Sequence, residues 1–299
     1  MNVFVTGGTG FIGREIVRRL VDAGHHARVL VRPNSAHGSS HLPREAQRVT
    51  GDILDSDLDR HLEGQDAVIH LVGIIRESPW RGVTFRTLHT RATSNLIRAM
   101  AAAAVERIVH MSALGSERGG SGYFESKLEA EKAVRNSNLT WTIIKPSVVY
   151  GPDDEFVNML ASQVRKLPVV PVIGDGTYEL QPVHVHDVAT GFVEALSKAE
   201  TEGSIYEVGG PQKLSYNQIL DEIALAVGKD KAAKIHIPLR VMRPSVALMQ
   251  KLPFSPITMD QLRMLLMNNT CDQEPYMSTF EIDPLTFGEA ISEYLRPRR

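Results

Sequence analysis

Cysteine is nearly missing from this 299-residue chain; Cys271 stands alone. One thiol excludes an internal disulfide framework and fits a reducing compartment. With no histidine near it in the sequence, Cys271 reads as a structural thiol and not a nucleophile. An excess of charge is also missing. Lys plus Arg number 33 and Asp plus Glu 35, which argues against a general nucleic-acid or membrane binder. The longest near-continuous apolar stretch, Ala67 to Ile75, is too short to span a bilayer. The first residues lack a basic region followed by an apolar core, so no secretory signal and a cytoplasmic location are expected. No repeat and no low-complexity tract is visible. His184, His186 and Asp187 lie close together, but no further ligand type stands at metal spacing beside them, and no metal is expected.

What is present starts at once, with MNVFVTGGTGFIG. Asn2 to Val5 are β-formers, Thr6 to Gly10 make a turn, and Phe11 opens a helical pattern with Ile12, Ile16, Leu20 and Val21 on one face. Gly7, Gly10 and Gly13 are spaced G-x-x-G-x-x-G between strand and helix, the context in which this motif binds a dinucleotide. Gly7 allows the sharp turn, Gly10 the approach of a diphosphate, and Gly13 the close packing of helix on sheet. The positive helix end then faces the phosphates.

His26 to Val31 form a second strand that runs into Arg32-Pro33. An acid about twenty positions after the glycines would bind the ribose hydroxyls of NAD. None stands there. Arg32 is placed to pair with a 2′-phosphate, so NADP is the expected cofactor, with NAD as the alternative. The polar loop Pro33 to Pro43 is expected to be flexible and to cover the adenosine phosphate. Val49 to Ile53 end a third strand. Asp52 has two open roles: a bond to the adenine amino group with Ile53 against the base, or a cap for a helix near Leu54 to Leu62. Asp66 to Val72 are a buried fourth strand with Gly73 at its carboxyl end. A helix over Thr87 to Ala104 contains Asn95, either an ordinary polar position or a holder of the sheet backbone near the cofactor. Arg107 to Ser112 are the fifth strand. This alternation predicts an α/β fold with a doubly wound parallel sheet.

Tyr123 and Lys127 share one face of the next helix, four residues apart. A phenol titrates at about 10 on its own. A neighbouring ammonium and an oxidised nicotinamide are expected to lower that value, and the pair then suits proton exchange with a substrate oxygen.

TGGTGFIG at 6–13, Tyr123 with Lys127, and KPSVVYGP at 145–152 resemble the short-chain dehydrogenase/reductase superfamily. The segments SALGSERGGSGYFESKLEAE, PSVVYGPDDEFVN and QPVHVHDVA followed by YEVGG are similar to its atypical, extended, NAD-dependent epimerase/dehydratase-like branch. Within that branch they are nearest the members that resemble the accessory NADPH-binding subunit of mitochondrial complex I. The resemblance covers roughly residues 1 to 270 and implies a Rossmann sheet with a smaller C-terminal α/β substrate lobe. It implies that Gly7, Gly10, Phe11, Ile12 and Gly13 hold the diphosphate, with Arg32 in place of the acidic ribose ligand. Asp52 and Ile53 would meet the adenine, and Leu71, Val72 and Gly73 would line the cofactor ribose. Lys127 would bind the nicotinamide ribose, Tyr123 would be the general acid/base, and Pro146 and Val148 would flank the nicotinamide. One position departs from the active pattern: where many members carry Ser or Thr two residues after Ser112, this chain has Leu114. Ser112 or Ser116 would then have to polarise the substrate oxygen, and such a donor is typically worth about a hundredfold in rate.

Residues 1–152, with returning segments near 180–210, are expected to form the cofactor domain, and 153–299 mainly a substrate or partner lobe. In that lobe helices are expected over Asp154 to Lys166 and after Gln181 to Asp187, with Asp187 as N-cap. The Met-rich stretch Pro238 to Asn269 is expected to fill the lobe's core, with a greasy pocket, partner face or shallow membrane contact as the alternative. The tail Arg296 to Arg299 is expected to fray. Three functions follow. The first is hydride transfer between NADP(H) and a small or isoprenoid-like carbonyl or alcohol. The second is a non-catalytic NADPH sensor or assembly protein of a membrane respiratory or quinone system. The third is a nucleotide-sugar epimerase or dehydratase. The expected partners are an unidentified small-molecule substrate, no nucleic acid and no transmembrane segment, with a peripheral membrane or protein-complex contact left open.

Overall fold

The computed structural model describes residues 1–33, 40–249 and 257–296. The greater part of the expected loop Pro33 to Pro43 and of the tail Arg296 to Arg299 lies outside them. The chain divides into two compact units. One comprises Met1–Pro146, His186–Glu207 and Pro275–Ile282; the other comprises Ser147–Val185, Val208–Glu274 and Asp283–Arg299.

The first unit is built on strands β1 (Asn2–Thr6), β2 (His26–Val31), β3 (Gln47–Thr50), β4 (Ala67–His70), β5 (Arg107–Met111), β6 (Thr140–Pro146) and β7 (Ser204–Val208). They form one parallel sheet in the order β7-β6-β5-β4-β1-β2-β3. The order reverses between β1 and β4, the place where such sheets open a crevice at their carboxyl ends. Helix α1 (Phe11–Asp22) buries Ile16, Val17 and Leu20. Val17 meets Val5 and Val29 around Gly8 on one face of the sheet. Helices α2 (Ala92–Ala102) and α3 (Gly122–Arg135) serve the other face, where Leu96, Met100 and Val134 join Phe4, Val68 and Ile108. Each such side chain gains about 1.5–3 kcal/mol from full burial.

Two local expectations are corrected. Leu54 to Leu62 do not make an α-helix; only a 3₁₀ turn, Leu58–His61, forms. The segment is rich in Asp and Ser, which bond to nearby backbone and compete with helix. The Asp52 carboxylate accepts from Leu54 N at 2.9 Å, and Asp55 accepts from Asp52 N at 2.7 Å. The helix expected from Thr87 begins instead as a wider π-helical segment, Arg86–Arg91, before regular α2.

The second unit packs helices Phe156–Lys166, Tyr216–Ala226 and Phe287–Leu295 around Tyr150, Leu160, Val172, Ile219, Ile223 and Ile291. Asp154 caps the first of these, accepting from Val157 N at 2.5 Å. Among its described residues the Met-rich stretch does not fill this core; it adds only the flank Leu265 and Leu266, which pack against it. Its helix Leu239–Met249, with Pro244 inside it, leaves Val241 and Leu248 exposed and buries Val246. The core is filled by the β-branched and aromatic residues before and after that stretch. Asp187 is not an N-cap either: helix α4 of the first unit (Val185–Glu194) starts two residues earlier, and burial raises the Asp187 carboxyl to about 6.

Helix α1 can approach the turn only without a side chain at Gly13, where a Cβ would lie 2.3 Å from the Gly7 carbonyl oxygen and 2.7 Å from Gly8 Cα. Gly13→Ala is therefore expected to destabilise the protein by about 1–3 kcal/mol or more, the cost of overpacking, measured by denaturant unfolding.

Candidate active site

The turn after β1 places Gly7 at φ +76°, and a Cβ there would strike the backbone of Leu71 and Val72 at 2.9–3.0 Å. The glycine loop and the carboxyl end of β4 are thus in contact. Helix geometry leaves the N–H groups of Phe11, Ile12 and Gly13 without intrahelical partners. Gly10, the N-cap, supplies no side-chain cap, and no acid stands in the first turn. A diphosphate fits this end on one observation in particular. A Cβ at Gly10 would meet only the Gly7 carbonyl oxygen, at 3.4 Å. The protein's own packing does not demand glycine there, whereas an anion over the helix end does.

Arg32 is exposed just beyond β2. Asp52 caps no helix, because none forms there; its carboxylate accepts from Leu54 N in a local turn. Ile53 is 4% exposed and sits in the core with Leu30, Leu58 and Leu96, so its side chain is used inside the protein. Asn95 holds the loop after β3, donating to Ile53 O at 2.7 Å and Asp55 O at 2.9 Å.

Helix α3 is capped by Ser121, which accepts from Phe124 N. It carries Tyr123 half-buried and Lys127 buried. Lys127 Nζ donates to Met111 O at 3.1 Å, and a Cβ on Gly73 would lie 3.0 Å from the same nitrogen. Lys127 therefore reaches the carboxyl ends of both β4 and β5. Burial lowers its ammonium to about 8. The expected lowering of the phenol is corrected for the protein alone: burial pushes Tyr123 up to about 12. Its ring stands among Phe85, His89 and Phe124 at centroid distances of 5.5–5.8 Å.

Ser112 does not present a free hydroxyl. It donates to Glu131 Oε2 at 3.1 Å, and Ser116 donates to the same oxygen at 3.4 Å. Lys145 stands 3.7 Å from that oxygen and 2.5 Å from Glu117. Leu114 is buried, and its N–H donates to Pro146 O at 3.1 Å. Pro146 thus closes the strand end beside Leu114. Val148 belongs to the second unit, where its carbonyl accepts from Val183 N at 3.0 Å.

Three histidines near Lys127 carried no signal of spacing. His70, His89 and His110 are buried, with His70 and His110 stacked at 5.2 Å. Burial, reinforced by the Lys127 charge, holds His70 and His89 at about 3 and His110 well below its ordinary value. All three are neutral at pH 7.

The family model described as NAD dependent epimerase/dehydratase family matches residues 3–209. The chain is 28% identical over 242 residues to NADH dehydrogenase (ubiquinone) 1 alpha subcomplex subunit 9, mitochondrial, of Dictyostelium discoideum, covering 79% of this chain and 66% of that protein. It is 33% identical over 192 residues to the ceramide reductase of Caulobacter vibrioides, covering 64% and 59%. The match thus spans less than two thirds of either relative. A solved UDP-glucuronic acid 4-epimerase from Bacillus cereus, in complex with UDP-glucuronic acid and NAD, superposes with a TM-score of 0.77 at 21% identity over 99% of each chain. That likeness shows the fold alone. The partner expectation needs correction. It named a small molecule and gave a protein complex no firm place, whereas relatives from several organisms are by name subunits of an NADH dehydrogenase. No helix among the described residues is long and apolar enough to cross a membrane.

Two outcomes are expected. Gly10→Ala should leave unfolding unchanged yet weaken binding of a nicotinamide dinucleotide at least about tenfold. The Lys127 shift has two opposite consequences. Its folded value, about 8, lies below its ordinary 10.5, so between those values the unfolded chain holds more protons and this group's contribution to stability rises with pH. If the charged lysine donates to the ribose of a nicotinamide dinucleotide, affinity for that dinucleotide should fall as pH rises through about 8, approaching about tenfold per unit, in calorimetric titrations on either side of that value.

Proposed function

The chain belongs to the NAD dependent epimerase/dehydratase family, and we propose that it is an oxidoreductase that uses NADP(H) on a carbonyl or alcohol, small or isoprenoid-like. The observation that carries this reading is the placement of Lys127 at the carboxyl ends of β4 and β5, with Tyr123 one turn away on the same helix face. When bound, the dinucleotide supplies or accepts the hydride. Phe11, Ile12 and Gly13 would hold its diphosphate by their N–H groups, and Arg32 its 2′-phosphate. Lys127 would hold the nicotinamide ribose. Tyr123 would give its phenolic proton to the substrate oxygen in reduction and take it back in oxidation. A phenol held near 12 is protonated at neutral pH, which favours the reductive direction.

A second reading, a non-catalytic NADPH-binding component of a membrane respiratory complex, is favoured by one feature. The hydroxyls of Ser112 and Ser116 are both taken by Glu131, and Leu114 offers none. The relatives named as NADH dehydrogenase subunits point the same way.

The test has two stages. NADPH should bind at least about tenfold tighter than NADH, and Arg32→Asp should remove that margin. Turnover of NADPH with a panel of carbonyls should then fall at least about a hundredfold in Tyr123→Phe, with NADPH binding retained. Binding without turnover on any carbonyl would favour the second reading; no nucleotide binding would sink both.

A further inference from the structure

A continuous chain of buried hydrogen bonds runs from the glycine loop to the helix of Tyr123. Thr93 Oγ1 donates to His89 O at 2.6 Å, so it must accept from His70 Nε2, 3.0 Å away. His70 Nδ1 is then the acceptor for the Thr6 hydroxyl, at 2.6 Å. Thr6 is the residue before Gly7. At the other end, Ser126 Oγ donates to Tyr123 O at 2.8 Å, so it accepts from His89 Nδ1, also at 2.8 Å. His89 Nε2 accepts from the Ile74 N–H at 3.0 Å. Each ring is therefore fixed as one neutral tautomer.

His89 is the junction of this chain. It ties the strand end after Gly73 to the first turn of α3, and its ring stacks on Phe85 and meets the Tyr123 ring edge-on at 5.5 Å. It projects from the π-helical segment Arg86–Arg91, a geometry often found where a side chain is set for function. A Cβ on Gly73 would fall 3.0 Å from Lys127 Nζ and 3.5 Å from His89 Nε2, so all three converge on one point.

We propose that His89 is a positioning residue, whose single tautomer sets Tyr123 against the carboxyl end of β4 where the cofactor ribose would lie. This rests on the Tyr123–Lys127 reading above. Its effect passes through Tyr123 and not through substrate, so it can be read without a known substrate.

The probe is NADP⁺, and the readout is the tyrosinate absorbance that titrates in the wild-type complex and is missing from Tyr123→Phe. His89→Met fills the space without hydrogen bonds; His89→Gln can accept from Ile74 N–H and donate to Ser126. His89→Met is expected to move the Tyr123 midpoint by about one pH unit, and His89→Gln to restore it. Equal midpoints in all three proteins, with NADP⁺ still bound, would overturn the proposal, as would equal shifts in Met and Gln. Should His89→Met fail to fold, Ser126→Ala removes the same link, and an unchanged midpoint there overturns it too. If wild type binds no NADP⁺, the functional reading itself fails and this inference with it.

Discussion

The backbone contact between Gly13 and the Gly7–Gly8 turn is the constraint on which the rest of the first unit depends. Only a residue without a side chain lets α1 come this close to the end of β1. That approach aims the helix N-terminus at the crevice where the strand order reverses. It also seats Gly7 on the backbone of Leu71 and Val72, which brings the end of β4 to the loop. Gly10 differs from its two partners in the motif. Among the described residues a Cβ there would meet only the Gly7 carbonyl oxygen at 3.4 Å, so close packing does not require its glycine.

The second constraint is electrostatic. Lys127 is buried at the carboxyl ends of β4 and β5 with a carbonyl oxygen as its hydrogen-bond acceptor. A buried cation is costly: burial lowers the Lys127 ammonium to about 8, and the imidazoles near it add no further positive charge. His70, His89 and His110 are all held uncharged by burial and by Lys127 itself. The carboxylates nearby are assigned elsewhere: Glu131 takes Ser112 and Ser116, and Lys145 faces both Glu131 and Glu117. Burial alone holds the Tyr123 phenol up at about 12, so it is protonated at neutral pH.

Much of this was legible in the sequence because it is local. The glycine spacing, the strand before it and the helix after it announce a close turn whatever the distant contacts are. Tyr123 and Lys127 share a face by helix period alone. The grip of Asn95 on the loop after β3 is close to one of its open alternatives, whereas the helix that Asp52 was to cap does not form. What escaped depends on long-range packing. His89 sits in a π-helical segment, where the usual 3.6-residue spacing misplaces faces, and its partners lie 15 and 37 positions away. Ser112 resembled a free hydroxyl because nothing in a linear reading shows Glu131 turned toward it. Ile53 was assigned to a ligand although the core under β3 had the stronger claim on it. The Met-rich stretch was apolar enough for a core, but it also carries Pro244 and four basic residues, Arg240, Arg243, Lys251 and Arg263, which suit a surface.

The central claim is that the N–H groups at the start of α1 receive a dinucleotide diphosphate. The most direct measurement is the amide spectrum of isotope-labelled protein during NADPH titration. Saturable shifts are expected at Phe11, Ile12 and Gly13, with Gly73 and Ile74 moving at the same ligand concentration. Binding that leaves those amides in place while others shift would contradict it, because the dinucleotide would then lie away from the helix end.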